Sequence, residues 1–327
     1  MTGRRNRLLV VLAGLLCTAG LALAGLYAHA GMYGVNALAR RGATFWVSVT
    51  ADDPRLSASM RLALREQPSS IAAGAFAWQP IDRGFEVGEL PVMLGPWEVD
   101  RILLARIDPT RFRFVVRNAP AGDRDAVEWL RQLDAALVIN GSYYSPRGTP
   151  ATPFLSAGVL SGPRDYDARH GAFVASAGTA TIRDLANVPW PAAFRGADDA
   201  MVSYPLLLAP DGSNRVAADD RWLANRSFVG EDGSGNIILG TTADAFFSLN
   251  RLAAFLPMAP LGLVKALNLD GGPVACQAIS IKAYRRDFCG KWELAAQDGQ
   301  LRLLTWTFGP RPWALPNVLA VLGKESS

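Results

Sequence analysis

The stretch Lys265–Gln277, KALNLDGGPVACQ, sets the reading of the whole chain. A short apolar run stops at Asp270, two glycines follow, and a proline and a cysteine resume the chain. A run this short, bounded by turn residues, predicts a buried strand rather than a helix. The same pattern recurs upstream. AALVIN (135–140) reads as a buried strand stopping at Asn140 before a glycine, and VSYPLLLAPDG (202–212) as a strand and a turn. RSFVGEDGSGNIILGTT (226–242) predicts a hairpin with EDGSG at its tip. RILLARID (101–108) and RFRFVVRN (111–118) predict neighbouring strands across the turn DPT, and GAFVAS (171–176) and GTATIRD (178–184) two more.

Helical signals are fewer. DRDAVEWLRQLDA (123–135) predicts a helix with Val127, Leu130 and Leu133 on one face. PRLSASMRLALREQ (54–67) predicts a short helix capped by Asp53 and ended by Pro68. Thr241 and Asp244 have capping-box spacing ahead of a stripe of Phe246, Leu249, Leu252, Ala253 and Leu256, which predicts a helix starting there. The Pro-rich tail after Thr307 reads as a surface wrap. Strands dominate and do not alternate regularly with helices. The expected class is therefore α+β: a mixed, mainly antiparallel sheet core with a few packed helices. The expected organisation is a membrane segment over 1–30, an approach segment over 31–90, one catalytic-type domain over 91–308 and a tail over 309–327.

Arg4, Arg5 and Arg7 precede an uncharged apolar run from Leu8 to Ala28, and Ala28-His29-Ala30 fits a signal-peptidase site. The run is also long enough to span a bilayer, so both a cleaved signal peptide and a retained anchor fit. In either case the arginines place the rest of the chain outside the cytoplasm: periplasmic, facing the periplasm from the inner membrane, or secreted. Beyond this segment 30 basic residues face 29 acidic ones. That balance offers no basic groove, and nucleic acid is excluded as a partner. Cys17 lies in the apolar run, which leaves Cys276 and Cys289 as an even pair in an oxidising compartment. A disulfide between them is the preferred reading, the alternative being two small buried residues that never meet.

Several chemistries are missing. There is no G-x-G-x-x-G, no P-loop and no G-x-S-x-G elbow. His29 lies in the export segment, so His170, in a polar loop, is the only other histidine, and a hydrolase built on histidine is not expected. Carboxylates, Arg, Asn and backbone amides must carry any catalysis. Asn140, Arg226 and Asp270 each sit at the end of an apolar strand, and each alone reads as a turn or surface residue.

Their order carries more. NGSYY (140–144), SYPLLLAPDG (203–212), RSFVGEDGSG (226–235) and ALNLDGG (266–272) resemble, in sequence, the motifs of the phosphodiester glycosidase family, and RIDP (106–109) is similar to the strand that opens its domain. The resemblance spans roughly 91–304. It implies an exported glycosidase that hydrolyses a sugar-1-phosphodiester bond, of the N-acetylglucosamine-1-phosphate type, in an envelope glycan or polysaccharide. It implies Asp270, Arg226 and Asn140 as catalytic residues, with Gly271, Gly272, Tyr143, Ser203 and Tyr204 binding substrate. It also implies a bound calcium whose ligands it does not assign; the sequence itself requires no cofactor. PVAC (273–276) stands where the family usually has Gly-Ser-Ser, and NGSYY replaces the commoner NGGFF. These departures imply a bacterial branch with a different substrate. The alternative they raise is an inactive, envelope-anchored protein that binds a glycan or phosphodiester.

Overall fold

A computed structural model describes residues 2–65, 71–167, 170–216, 218, 220–307, 309 and 311–323. Pro68, the expected end of the first short helix, lies outside them. The chain is α+β, and every strand pairing is antiparallel. A long N-terminal helix, Thr2–Arg41, precedes four sheets.

Two sheets build the centre. One contains Leu206–Leu208, Leu263–Asn268, Ser227–Asp232, Ile237–Thr242, Trp97–Ile107, Phe85–Leu94 and Ile71–Ala73 in that spatial order. The other runs Tyr284–Cys289, Cys276–Ile281, Ala135–Asn140, Asn317–Gly323 and Phe112–Asn118. Ile107, Leu239 and Leu267 of the first meet Ile139, Ile279 and Leu319 of the second in one buried core. Period-2 alternation in each strand sends these side chains to the shared face. The outer face of the second sheet is covered by the helix Ala126–Gln132, through Ala126, Trp129 and Leu130. Asp125 and Glu128 close that helix's capping box. Phe154–Ser156, Val159–Ser161, Gly171–Ser176, Thr179–Asp184 and Asp199–Ser203 form a side sheet whose Phe173, Ile182 and Met201 reach the central core.

Four expectations about elements need correction. The strands on either side of DPT are not paired with each other. The first pairs with Phe85–Leu94 and Ile237–Thr242, the second with Asn317–Gly323, so the turn is a corner at which the chain changes sheets. The C-terminal segment is not a surface wrap: Asn317–Gly323 pairs on both edges and buries Val318, Leu319, Ala320 and Val321. The prolines before it break the approach, but the continuous apolar run VLAVL, buried on both faces, wins an interior position in the sheet. The helix expected from Thr241 begins at Leu249 with Ser248 as its cap, because Thr241 and Thr242 complete the ladder with Leu103 and Ile102. Asp244 instead accepts from the Ser57 hydroxyl at 2.7 Å. Likewise the first short helix is Ala58–Arg65, and Ser57 Oγ rather than Asp53 takes its free backbone donor, from Met60.

Candidate active site

Three strand ends converge where the two central sheets meet. Ala135–Asn140 delivers Asn140, Leu263–Asn268 leads into Asp270, and Arg226 immediately precedes Ser227–Asp232. Backbone hydrogen bonds lock them together. Asp270 N donates to Gly141 O at 3.1 Å, Leu269 N to Ser227 O at 2.9 Å and Gly272 N to Asn225 O at 2.8 Å. Asn140, 2 % exposed, donates through Nδ2 to Asp270 O at 2.7 Å and accepts at Oδ1 from Cys276 N at 3.2 Å. Its amide is committed to the scaffold. Asn140 therefore holds the backbone of Asp270 in place.

The loop after Asp270 owes its shape to its glycines. Gly271 passes so close to the chain that a Cβ would lie 2.9 Å from Asn225 O. Gly272 has φ +68°, and a Cβ there would collide with the Glu293 carboxylate. Gly271 thus admits the Asn225 carbonyl, and Gly272 admits Glu293, the second carboxylate of the site. Glu293 begins the strand Glu293–Gln297 and accepts from Trp222 Nε1 at 3.2 Å. Pro273 and Val274 turn into the core, and the Cys276–Cys289 disulfide closes the hairpin beside them. The residues that replace the family's hydroxyls are therefore structural.

Arg226 is 6 % exposed. Its Nε donates to Phe247 O at 3.3 Å and its Nη2 to Trp222 O, while Nη1 lies against Gly271. Among the described residues no carboxylate pairs with it within 4.0 Å. Two nitrogens held by carbonyls and a third beside Gly271, the residue after Asp270, leave a buried cation ready for an anionic ligand. Burial draws its pKa down, opposed by Tyr143, Glu293, Asp220 and Asp270.

Asp270 is half-buried, and its carboxyl is pushed up to about 7. Loss of solvent is the main cause, and the Glu293 charge adds to it; the Gly271 N–H at 2.9 Å and Arg226 oppose it. Glu293 is raised as well, by burial, against Arg226 and Trp222. Two carboxyls beside one arginine, one of them titrating near neutrality, make an acid–base pair.

An aromatic wall stands opposite. Tyr143 and Tyr204 stack at 4.1 Å and 16°, and His170 lies 4.9 Å from Tyr204. Tyr143 OH donates to Tyr204 O at 3.0 Å and accepts from Asn268 Nδ2 at 2.8 Å, so the wall is tied to the strand that carries Asp270. Ser203 is fully buried behind it, and Ser203 Oγ and Asn268 Oδ1 have no hydrogen-bond partner. Tyr204 and the 38 %-exposed Trp222 present the open aromatic faces. Tyr166, 6.4 Å from His170, continues the wall into a groove of about 560 Å³ lined by residues 164–167 and 185–191.

Sequence reasoning does not identify Glu293, Trp222 or Asn268, and it gives His170, in its polar loop, no catalytic part. Glu293, Trp222 and His170 stand in no motif that separates them from ordinary strand or loop positions, and Asn268, inside ALNLDGG, reads there as one more residue of the strand; only the pairing of distant strands shows what each of them meets. Among the described residues no group of three or more His, Cys, Asp or Glu could hold a metal ion. Asp270 and Glu293, facing a buried arginine, do not fit a calcium site.

Comparison with known proteins points the same way as the geometry. The family model described as phosphodiester glycosidase matches residues 134–321, a span that contains Asn140, Arg226, Asp270 and Glu293. The catalytic domain of zebrafish N-acetylglucosamine-1-phosphodiester alpha-N-acetylglucosaminidase, auto-inhibited by its pro-peptide, is similar in fold. Its TM-score is 0.51 at 14 % identity, over 76 % of this chain and 88 % of that one. A hypothetical protein from Synechocystis aligns with TM-score 0.48 at 16 % identity, covering 77 % of this chain and 64 % of its own. No curated protein sequence matches significantly.

Proposed function

This chain belongs to the phosphodiester glycosidase family, and on that premise we propose that it hydrolyses the bond between a sugar C1 and a phosphodiester oxygen outside the cytoplasm. The observation that carries the reading is the buried Arg226, paired with no carboxylate among the described residues, whose charge acts on an aspartate that titrates near neutrality. Arg226 Nη1 binds the phosphate and neutralises it as it leaves, so the leaving group needs no proton from a strong acid. Asp270, ionised above about pH 7, takes the proton of a water that attacks C1. The C1–O bond breaks, the phosphate monoester departs with the bridging oxygen, and the sugar gains the hydroxyl. Loss of solvent, with the Glu293 charge adding to it, holds the Asp270 pKa high enough for that proton transfer, and Trp222 and Tyr204 offer faces to the sugar ring.

The test is sugar release from an N-acetylglucosamine-1-phosphodiester by the full chain, beside Asp270→Asn and Arg226→Ala. We expect a loss of about 10²–10⁴-fold in kcat for Asp270→Asn, the range of a positioned base. Arg226→Ala should also lose competitive inhibition by a sugar-1-phosphate. Turnover that survives both substitutions would sink the assignment. Saturable binding without turnover in the unaltered chain would convert the reading to that of a binding protein.

A further inference from the structure

The N-terminal helix changes character at Gly31. From Leu8 to Gly25 its side chains are exposed on all sides, and the run is long and apolar enough to cross a membrane. Gly31 then takes φ 59° and ψ −156°, which kinks the helix. Beyond the kink the helix is docked. Tyr33, Gly34 and Ala37 are buried, with the Tyr33 ring packed where a Cβ on Gly122 would collide with it. Tyr33 OH donates to Tyr144 OH at 2.9 Å, and Asn36 Nδ2 to Ala121 O at 2.8 Å. Arg40 meets both Glu128 oxygens at 2.8 and 3.0 Å, and the Arg41 guanidinium stacks 3.4 Å over Trp313. Arg147 donates to Ala28 O. The side facing away from the domain is apolar too: Met32, Leu38 and Ala39 are exposed. A helix that seats one face on a domain and presents a second apolar face outward fits the plane of a bilayer surface.

This helix also touches the site. Tyr144, its hydrogen-bond partner, follows Tyr143 of the aromatic wall, and the Asp270 charge acts on both Tyr33 and Tyr144. Tyr33 is five residues beyond the last residue of the apolar run, at most about 8 Å at 1.5 Å per residue and less with the kink at Gly31. The headgroup layer on each side of the hydrocarbon is about 5–8 Å thick. The cleft wall therefore stands at headgroup depth.

We propose that the apolar helix is a retained anchor, and that its docked end, Met32–Arg41, holds the Asp270 cleft at the membrane surface to act on a lipid-linked sugar phosphodiester. The substrate class rests on the hydrolase reading above. The aglycone is a lipid still seated in the bilayer: water adds to C1, the C1–O bond breaks, and a lipid phosphate monoester stays in the membrane. A soluble glycan would gain nothing from a cleft held this close to lipid.

The full chain in phosphatidylethanolamine–phosphatidylglycerol vesicles tests this in two ways. The first needs no turnover. With Cys17→Ser in place, a spin label at Pro146→Cys, beside Tyr144, should lie within about 10 Å of the lipid phosphates, the scale of the headgroup layer. A depth beyond about 20 Å overturns the placement, as does a mature membrane protein that begins at Gly31. The second compares a lipid-linked N-acetylglucosamine phosphodiester with its soluble methyl counterpart. Seven helix-forming residues inserted between Ala28 and His29 raise the domain by about 10 Å. They should cut turnover of the lipid substrate at least tenfold and leave the soluble one within twofold. Equal turnover of the lipid substrate by both chains overturns the substrate class. Absence of turnover on both substrates overturns the hydrolase reading and the substrate class with it, while the label depth still decides the placement.

Discussion

Asp270→Asn should make the protein more stable as it makes it inactive, and by an amount that depends on pH. Asp270 titrates near 7 in the folded chain against an ordinary 3.8. Folding therefore tightens its hold on a proton, so its contribution is fully present below about pH 4 and is lost as pH rises toward and past 7. The gap between the two values corresponds to about 4 kcal/mol. Because the carboxyl is half-buried rather than sealed, we take about 2–4 kcal/mol as the cost of ionising it in place. Asparagine keeps the acceptor for Gly271 N and carries no charge. The assay is thermal unfolding of both proteins in the same detergent from pH 4.5 to 8.5. The two melting temperatures should nearly coincide at the acid end. At pH 8.5 the variant should melt about 5–10 °C higher, at roughly 2–4 °C per kcal/mol for a domain of this size. Parallel curves across the whole range would refute the reasoning, since they would mean that Asp270 ionises alike in the folded and unfolded chain.

Glu293→Gln removes the charge that helps raise Asp270, so the acid limb of kcat/KM against pH should move to lower pH; an unmoved limb would separate the two carboxyls. Gly272→Ala forces a left-handed residue into the Glu293 carboxylate and should cost about 2 kcal/mol or more, measured as a fall in melting temperature. An unchanged melting temperature would remove Glu293 from the site. Replacing both Cys276 and Cys289 by alanine should cost about 2 kcal/mol, below the full loop-closure value of about 3 because the hairpin ladder already holds the ends together. It should also lower kcat, since the disulfide steadies the strand end whose backbone Cys276 N, kept in the variant, donates to Asn140 under Asp270; a change confined to stability would break that connection.

The strands of the core could be read from the chain because each carries its own evidence of burial. AALVIN, KALNLD and the hairpin 226–242 are short apolar runs closed by turn residues, and that local pattern specifies which residues leave water. Pairing is another matter. Nothing local told that the strands around DPT part company at a sheet corner, or that the proline-broken tail ends in a central strand, because a β ladder is chosen by competition among distant strands. The site divides the same way. Asp270 and Arg226 could be singled out by four ordered motifs, and Cys276 with Cys289 by being the only pair left outside the apolar segment. Tertiary structure alone turned Asn140 inward to hold Asp270, filled the space over Gly272 with Glu293, and brought Trp222 and His170 to the cleft. It also seated the end of the N-terminal helix beyond Gly31 against Tyr144. Sequence determined which groups can carry charge and which runs must be buried. Only the packing of sheet on sheet decided which charges share a low-dielectric space, and it is that sharing which lifts an ordinary aspartate to neutrality.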